Sequence, residues 1–152
     1  MEDATHYQIT ASRRVAAPAA RVYDIIADYR NGHPNIVPSN FRNLQVEQGG
    51  HGAGTVVTFD VRSFGSTRSF RHRVEEPEPG RVLVERDADG PTRTTFTVER
   101  GASDDEARVT ITTDMQSRPG LFGAIERTMT KSYLRKLYLQ ELANLEAFAT
   151  RH

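Results

Sequence analysis

Thr55-Val56-Val57-Thr58-Phe59-Asp60-Val61-Arg62, a turn over Ser63 to Thr67, and Arg68-Ser69-Phe70-Arg71-His72-Arg73-Val74-Glu75 form the stretch on which the fold turns. In the first segment Val57, Phe59 and Val61 alternate with Thr58, Asp60 and Arg62, which is the period of a strand with one apolar face. In the second, Phe70 and Val74 share a face with Arg68 and His72, while Arg71 and Arg73 lie opposite. Two such segments around a short polar turn predict a β-hairpin. If its apolar face lines a cavity, Arg68 is placed to bind a carboxylate or enolate oxygen and His72 to act as a hydrogen-bond partner or acid/base. A one-residue slip would turn Arg71 and Arg73 inward instead. That slip, or a His72 that is merely structural, is the plainer account.

The same pattern extends on both sides. Six apolar, β-branched segments run from Phe41 to Met115, punctuated by turn-rich stretches at Gly49–Gly54, Ser63–Thr67, Glu76–Gly80, Ala88–Pro91 and Gly101–Asp105, which predicts an antiparallel meander. Val82 and Val84, then Thr94, Phe96 and Val98, then Val109, Ile111, Thr113 and Met115 are the expected inner faces, with Arg86 as an inward exception. An alternating strand bearing Tyr7, Ile9, Ala11, Arg13 and Val15 precedes the meander and stops at Pro18, bringing the strand count to seven. Between the two lies a short amphipathic helix carrying Val22, Ile25, Ile26 and Tyr29. It is followed by an Arg30–Pro38 loop able to hold at most a broken helical turn.

From Pro119 to Arg151 the chain is rich in good helix formers and predicts one long helix. Its apolar residues fall on two stripes. Leu121, Phe122, Ile125, Met129 and Tyr133 make one, and Leu134, Leu137, Tyr138, Leu145 and Phe148 make another, rotated from the first. Either the helix bends near Lys131–Leu134, or its halves touch different things, the first facing a cavity or its mouth and the second a packed sheet.

Composition narrows the function classes. The 152 residues fit a single domain spanning 1–152, long enough to bury a core without staples. The absence of Cys excludes a disulfide framework and thiolate metal sites. Lys+Arg and Asp+Glu both number 20, so net charge supplies no long-range field toward nucleic acid or an anionic membrane. No signal-peptide pattern opens the chain and no apolar run is long enough to span a bilayer, which predicts a cytoplasmic protein without stable membrane insertion. Nothing in the sequence sets an oligomeric state.

Several motifs fall away on their spacing. The Gly49–Gly54 stretch resembles a phosphate loop, but no helix follows it, and it is expected to be a hairpin turn. The five His never occur at i, i+4, and Asp104-Asp105-Glu106 lacks the spacing of a calcium loop, so no metal or other cofactor is expected. Ser63, Ser66 and Ser69 form no nucleophile elbow, and the basic run Arg68, Arg71, His72, Arg73 has no aromatic platform for nucleic acid. His33 and His51, in loops, are expected to be solvated.

One strand, a short helical region, six more strands and a long closing helix is an unusual order. With Val15-Ala16-Ala17-Pro18, Val22–Tyr29, the Pro34–Pro38 loop and the Gly49–Thr55 turn, it resembles the helix-grip fold of the START and SRPBCC superfamily. Within it, the chain is most similar to the bacterial polyketide cyclase/dehydrase-like branch. The resemblance implies an α+β domain, with a curved seven-stranded antiparallel sheet wrapped around the long helix and two short helices after the first strand. It also implies an apolar pocket between sheet and helix. At Asn31-Gly32-His33-Pro34 the sequence lacks an aromatic that relatives often carry near the proline.

On that basis the expected function is to bind a small apolar or aromatic molecule, of lipid, quinone or polyketide type. The candidate lining is Val57, Phe59, Val61, Arg68, Phe70, His72, Val84, Phe96, Met115, Ile125, Met129 and Tyr133. A Met or an aromatic at helical spacing is nonetheless more often plain core. Two alternatives stand beside this: a cyclase or dehydratase in which His72, helped by Arg68 or Tyr133, moves a proton, and a protein-interaction module of the chaperone-activator type.

Overall fold

The computed structural model describes residues 5–151. In chain order the elements are β1 (Thr5–Val15), α1 (Ala19–Ala27), a 3-10 turn (His33–Asn35), β2 (Phe41–Gln48), β3 (Val56–Ser63), β4 (Ser66–Glu78), β5 (Val82–Asp87), β6 (Arg93–Arg100), β7 (Ala107–Ser117) and α2 (Gly120–Arg151). The seven strands form one antiparallel sheet in the order β1-β7-β6-β5-β4-β3-β2. β1 and β2, adjacent in sequence, thus lie at opposite edges. The segment between them must cross the concave face, and α1 and the 3-10 turn close one end of it.

Sequence pattern explains how that end is sealed. Val22, Tyr23, Ile25, Ile26 and Ala27 give α1 a buried face, continued by Tyr29 and Ile36. This surface meets Leu142, Leu145 and Ala149 of α2 and Val15, Ala107, Val109 and Ile111 of β1 and β7. Each fully buried Leu, Ile or Val contributes about 1.5–3 kcal/mol. The glycine turn fastens α1 to the sheet: the Tyr29 amide donates to the Gly50 carbonyl at 2.9 Å and the Gly52 amide to Ala27 at 2.9 Å. Gly52 sits at φ +66°, where a side chain would be strained and would strike the Glu76 carboxylate.

The β3–β4 register runs unbroken from Val56 opposite Arg73 to Ser63 opposite Ser66, with Val57 facing His72, Phe59 facing Phe70 and Val61 facing Arg68. The irregularity comes later, between Glu75 and Glu78 where β4 meets β5. Arg68 and His72 therefore do share the concave side with Phe70 and Val74, and Arg71 faces away to pair with Glu47 at 3.0 Å.

β5 departs from expectation. Leu83 lies opposite Phe96 and Glu85 opposite Thr94, so Leu83, Glu85 and Asp87 face inward, and Val82, Val84 and Arg86 face the other way. Val84 is therefore not a concave lining residue, although it is buried. Three consecutive apolar residues, Val82-Leu83-Val84, carry no parity of their own, and the carboxylates on the true inner face argued for the wrong one.

The two stripes of α2 do differ in surroundings, but the first does not face a cavity as expected: Leu121, Phe122, Ile125 and Met129 are exposed. Glu141, Leu142, Leu145 and Ala149 are buried in its second half, whereas Gly123 is the one buried residue among the described residues of its first half.

Candidate ligand site

The concave face grades from sealed to open. Near α1 its side chains are fully covered, but toward the start of α2 Tyr7, Val61, Phe70, His72 and Met115 are only half-buried and Arg68 is exposed. β3 and β4 build an aromatic wall there: the Phe59 and Phe70 rings stack at 5.6 Å, and His72 meets Phe59 edge-on at 4.8 Å. Arg68 covers the Phe70 ring at 5.6 Å. His72 Nδ1 is buried and has no hydrogen-bond partner. Phe96 and Val57 continue the wall as fully buried side chains.

Deeper in, the structure assembles a polar group that the sequence pattern did not single out. Val74 lies opposite Glu85 in the β4–β5 ladder. This makes Glu85 a diagonal neighbour of His72, at the roughly 7–8 Å typical of such pairs. Glu85 Oε2 accepts a hydrogen bond from the Tyr29 hydroxyl at 2.9 Å, and the Tyr29 ring stacks on His33 at 4.5 Å. Glu141 reaches down from α2 and is 6% exposed. Beside it Tyr138, Thr113 and Thr94 form a hydroxyl chain with links of 2.5 and 2.8 Å.

Charge in this enclosure is costly, and the titrations reflect that. Burial first, and then repulsion from Glu85, push the Glu141 carboxyl well above the usual carboxylate range. Burial likewise raises the Tyr29 phenol well above its ordinary value, reinforced by Glu85, and lifts Tyr138 to about 12. Among the described residues, no Lys, Arg or His pairs with Glu85 or Glu141; the ion pairs lie on the surface. A carboxylic acid held neutral in such a place can donate a hydrogen bond or a proton to an oxygen atom.

The predicted residues divide accordingly. Val57, Phe59, Val61, Arg68, Phe70, His72, Phe96 and Met115 share the concave side. Tyr133 stands at its rim, where its hydroxyl accepts from Asn40 at 3.1 Å and its ring meets Phe64 at 5.0 Å. Ile125 and Met129, at 52% and 57% exposure, lie outside it. Leu121 precedes Glu141 by 20 positions, which at about 100° per residue puts the Leu121–Ile125–Met129 stripe on the opposite side of the helix. His33, expected in solvent, is 3% exposed and its Nδ1 meets the Ile26 carbonyl at 2.8 Å, because the 3-10 turn folds it under Tyr29. His51 is exposed and sits 2.8 Å from Asp24.

Glu141 was legible in part: three residues after Tyr138 and four before Leu145, it falls on the core-facing stripe. Glu85 carried no comparable signal. Two depressions of about 480 and 350 Å3, lined mainly by outward polar residues such as Thr58, Asp60, Ser69 and Arg71, and Gln8, Arg86, Arg93 and Asp114, include neither acid. Among the described residues no group of three or more His, Asp or Glu is arranged to hold a metal ion, and no helix is long and apolar enough to cross a membrane.

Known structures share this architecture. The KanY protein, solved by NMR, is 25% identical, with 96% of this chain and 99% of that chain covered and a TM-score of 0.84. The ZhuI aromatase/cyclase from Streptomyces sp. R1128 is 20% identical over 97% of this chain and 95% of its own, at a TM-score of 0.79. Norcoclaurine synthase from Thalictrum flavum, crystallised with dopamine and hydroxybenzaldehyde, is 16% identical over 98% and 89%, at 0.73. These last two likenesses concern the fold. No curated protein matches the sequence. The profile of the polyketide cyclase/dehydrase and lipid transport family matches residues 6–149, nearly the whole chain, and the chain belongs to that family.

Proposed function

We propose that the protein binds a small apolar or aromatic molecule bearing a carbonyl or hydroxyl oxygen, of lipid, quinone or polyketide type. The body of the ligand would lie against Phe59, Phe70 and Phe96, and its oxygen would point toward His72 and the Glu85–Glu141 pair. The observation that carries this reading is the orphaned His72 Nδ1 on an aromatic wall. A buried polar atom without a partner costs about 1–3 kcal/mol, a cost that a ligand hydrogen bond offsets. Shape and apolar contact would supply most of the affinity, and the few polar groups the orientation.

Native mass spectrometry of the protein as purified, beside a solvent-extracted aliquot, tests the reading. A reproducible extra mass released by extraction is expected, and His72→Ala should weaken retention of that compound. An apo protein that also ignores a broad panel of apolar fluorescent probes would remove the binding reading and leave the interaction module.

A second reading, an enzyme of the cyclase or dehydratase type, draws on Glu141, whose carboxyl burial and Glu85 hold well above the usual carboxylate range. An acid kept protonated by burial can stabilise or protonate a developing enolate oxygen, and general acid catalysis of this kind contributes typically 10²–10⁴-fold. Turnover of the extracted compound should then fall at least about 10²-fold in Glu141→Gln while binding persists. Equal turnover in both proteins would leave a carrier.

A further inference from the structure

We propose that the first half of α2, with the tip of the β3–β4 hairpin, docks on an anionic lipid surface. The inference does not rest on the ligand reading. Four large apolar residues stand out from the helix: Leu121 at 77% exposure, Phe122 at 82%, Ile125 at 52% and Met129 at 57%. They form one stripe facing away from Glu141 and the sheet, so they belong neither to the core nor to the concave site. Phe64, 79% exposed at the hairpin tip and 5.0 Å from the Tyr133 ring, extends the patch beyond the helix. A contiguous exposed apolar surface of this kind marks an interaction site.

Charge selects the partner. The whole chain balances 20 cations against 20 anions, which hid a strong local segregation. From Arg118 to Lys136 there are five cations, Arg118, Arg127, Lys131, Arg135 and Lys136, and one acid, Glu126. The difference is five minus one, a segment of net +4 in a neutral chain. Glu126 is already paired with Arg118 at 2.9 Å. Both lysines of the sequence fall in this segment.

A two-fold contact between copies of the chain would set these cations against themselves, a like-charge arrangement that disfavours it. An anionic bilayer instead offers acyl chains for Leu121 and Phe122 and headgroup charge for the exposed Lys131, Arg135 and Lys136, the pattern of a helix lying in the interface plane; Arg127, half-buried, is turned to the sheet and donates to Ser117 at 3.1 Å.

Vesicle co-sedimentation tests the proposal, using phosphatidylcholine vesicles with and without phosphatidylglycerol. Binding is expected on the anionic vesicles alone. It should be lost in Leu121→Ser/Phe122→Ser and lowered about thirty-fold in Arg135→Gln/Lys136→Gln, since each cation near such a surface contributes about a factor of five. All four positions are on the helix exterior, and an unchanged thermal midpoint verifies that each variant folds. Amine-reactive labelling of Lys131 and Lys136 should fall when anionic vesicles are present. Three results overturn the proposal: no sedimentation with either vesicle, equal sedimentation with both, or a concentration-dependent dimer abolished by Leu121→Ser/Phe122→Ser in a protein that ignores vesicles. The last would assign the patch to a second copy of the chain.

Discussion

Glu141→Gln should make the protein more stable at neutral pH, and the gain should grow with pH. In the unfolded chain a glutamate ionises near its reference value of about 4.3. In the folded protein burial and Glu85 hold the Glu141 carboxyl well above that. Below both values the group is neutral in each state and contributes no pH dependence. Between them the native state keeps a proton that the unfolded chain has released, so stability declines as pH rises, by about 1.4 kcal/mol per unit. For a chain of this size each kcal/mol moves the thermal midpoint by about 2–4 °C, giving about 3–6 °C per pH unit. The amide introduced by the substitution cannot ionise, and the rest of the titrating surface is common to both proteins. Thermal unfolding of ligand-free wild type and variant, followed by circular dichroism in half-unit steps from pH 4 to 8, reads the difference directly. Curves that run parallel across that range would sink the argument, because they would mean that Glu141 ionises in the folded protein as readily as in the unfolded one.

Three further outcomes follow from packing and hydrogen bonding. Tyr29→Phe removes the donor to buried Glu85 and should cost about 1–3 kcal/mol in urea unfolding at pH 7; a neutral effect would mean that Glu85 finds another donor. Leu142→Ala, at the seam between α2 and α1, should cost about 2–5 kcal/mol, whereas Leu121→Ala on the outward stripe should stay within about 0.5 kcal/mol, a contrast measurable in one denaturation series. Gly52→Ala should destabilise by more than the roughly 1 kcal/mol typical of a Gly→Ala strain, since its methyl group would also displace Glu76, which accepts from the Ala53 amide at 2.7 Å and from the Tyr23 hydroxyl at 2.6 Å. An unperturbed midpoint would show that the turn adapts freely.

Most of the architecture is written in local pattern. The alternation of Val57, Phe59 and Val61, the glycine turn and the proline-free tail give strands, turn and helix at the positions observed, because period and breakers act within a few residues. The inward face of β4 was only an open alternative in the sequence, where a one-residue slip was the plainer account; pairing with β3 settles it, with Arg68 opposite Val61 and His72 opposite Val57. β5 was not readable either, since its parity is set by pairing across the Glu75–Glu78 irregularity and not by Val82-Leu83-Val84. His33 looked like a loop histidine because nothing local shows that the 3-10 turn will be pressed beneath Tyr29.

The sequence by itself determined the element order, the seven strands, the long closing helix and the family to which these belong. Only the tertiary structure decided which polar residues meet: Glu85 and Glu141 lie 56 residues apart in the chain and share one enclosure. It also decided that the first stripe of α2 faces outward, so that the cationic Arg118–Lys136 segment, already countable in the sequence, borders an exposed apolar surface. The physical reason is range. Periodicity and turn chemistry are properties of neighbours in the chain, whereas burial, and the loss of solvation that pushes the Glu141 carboxyl upward, depend on which distant surfaces close over a residue.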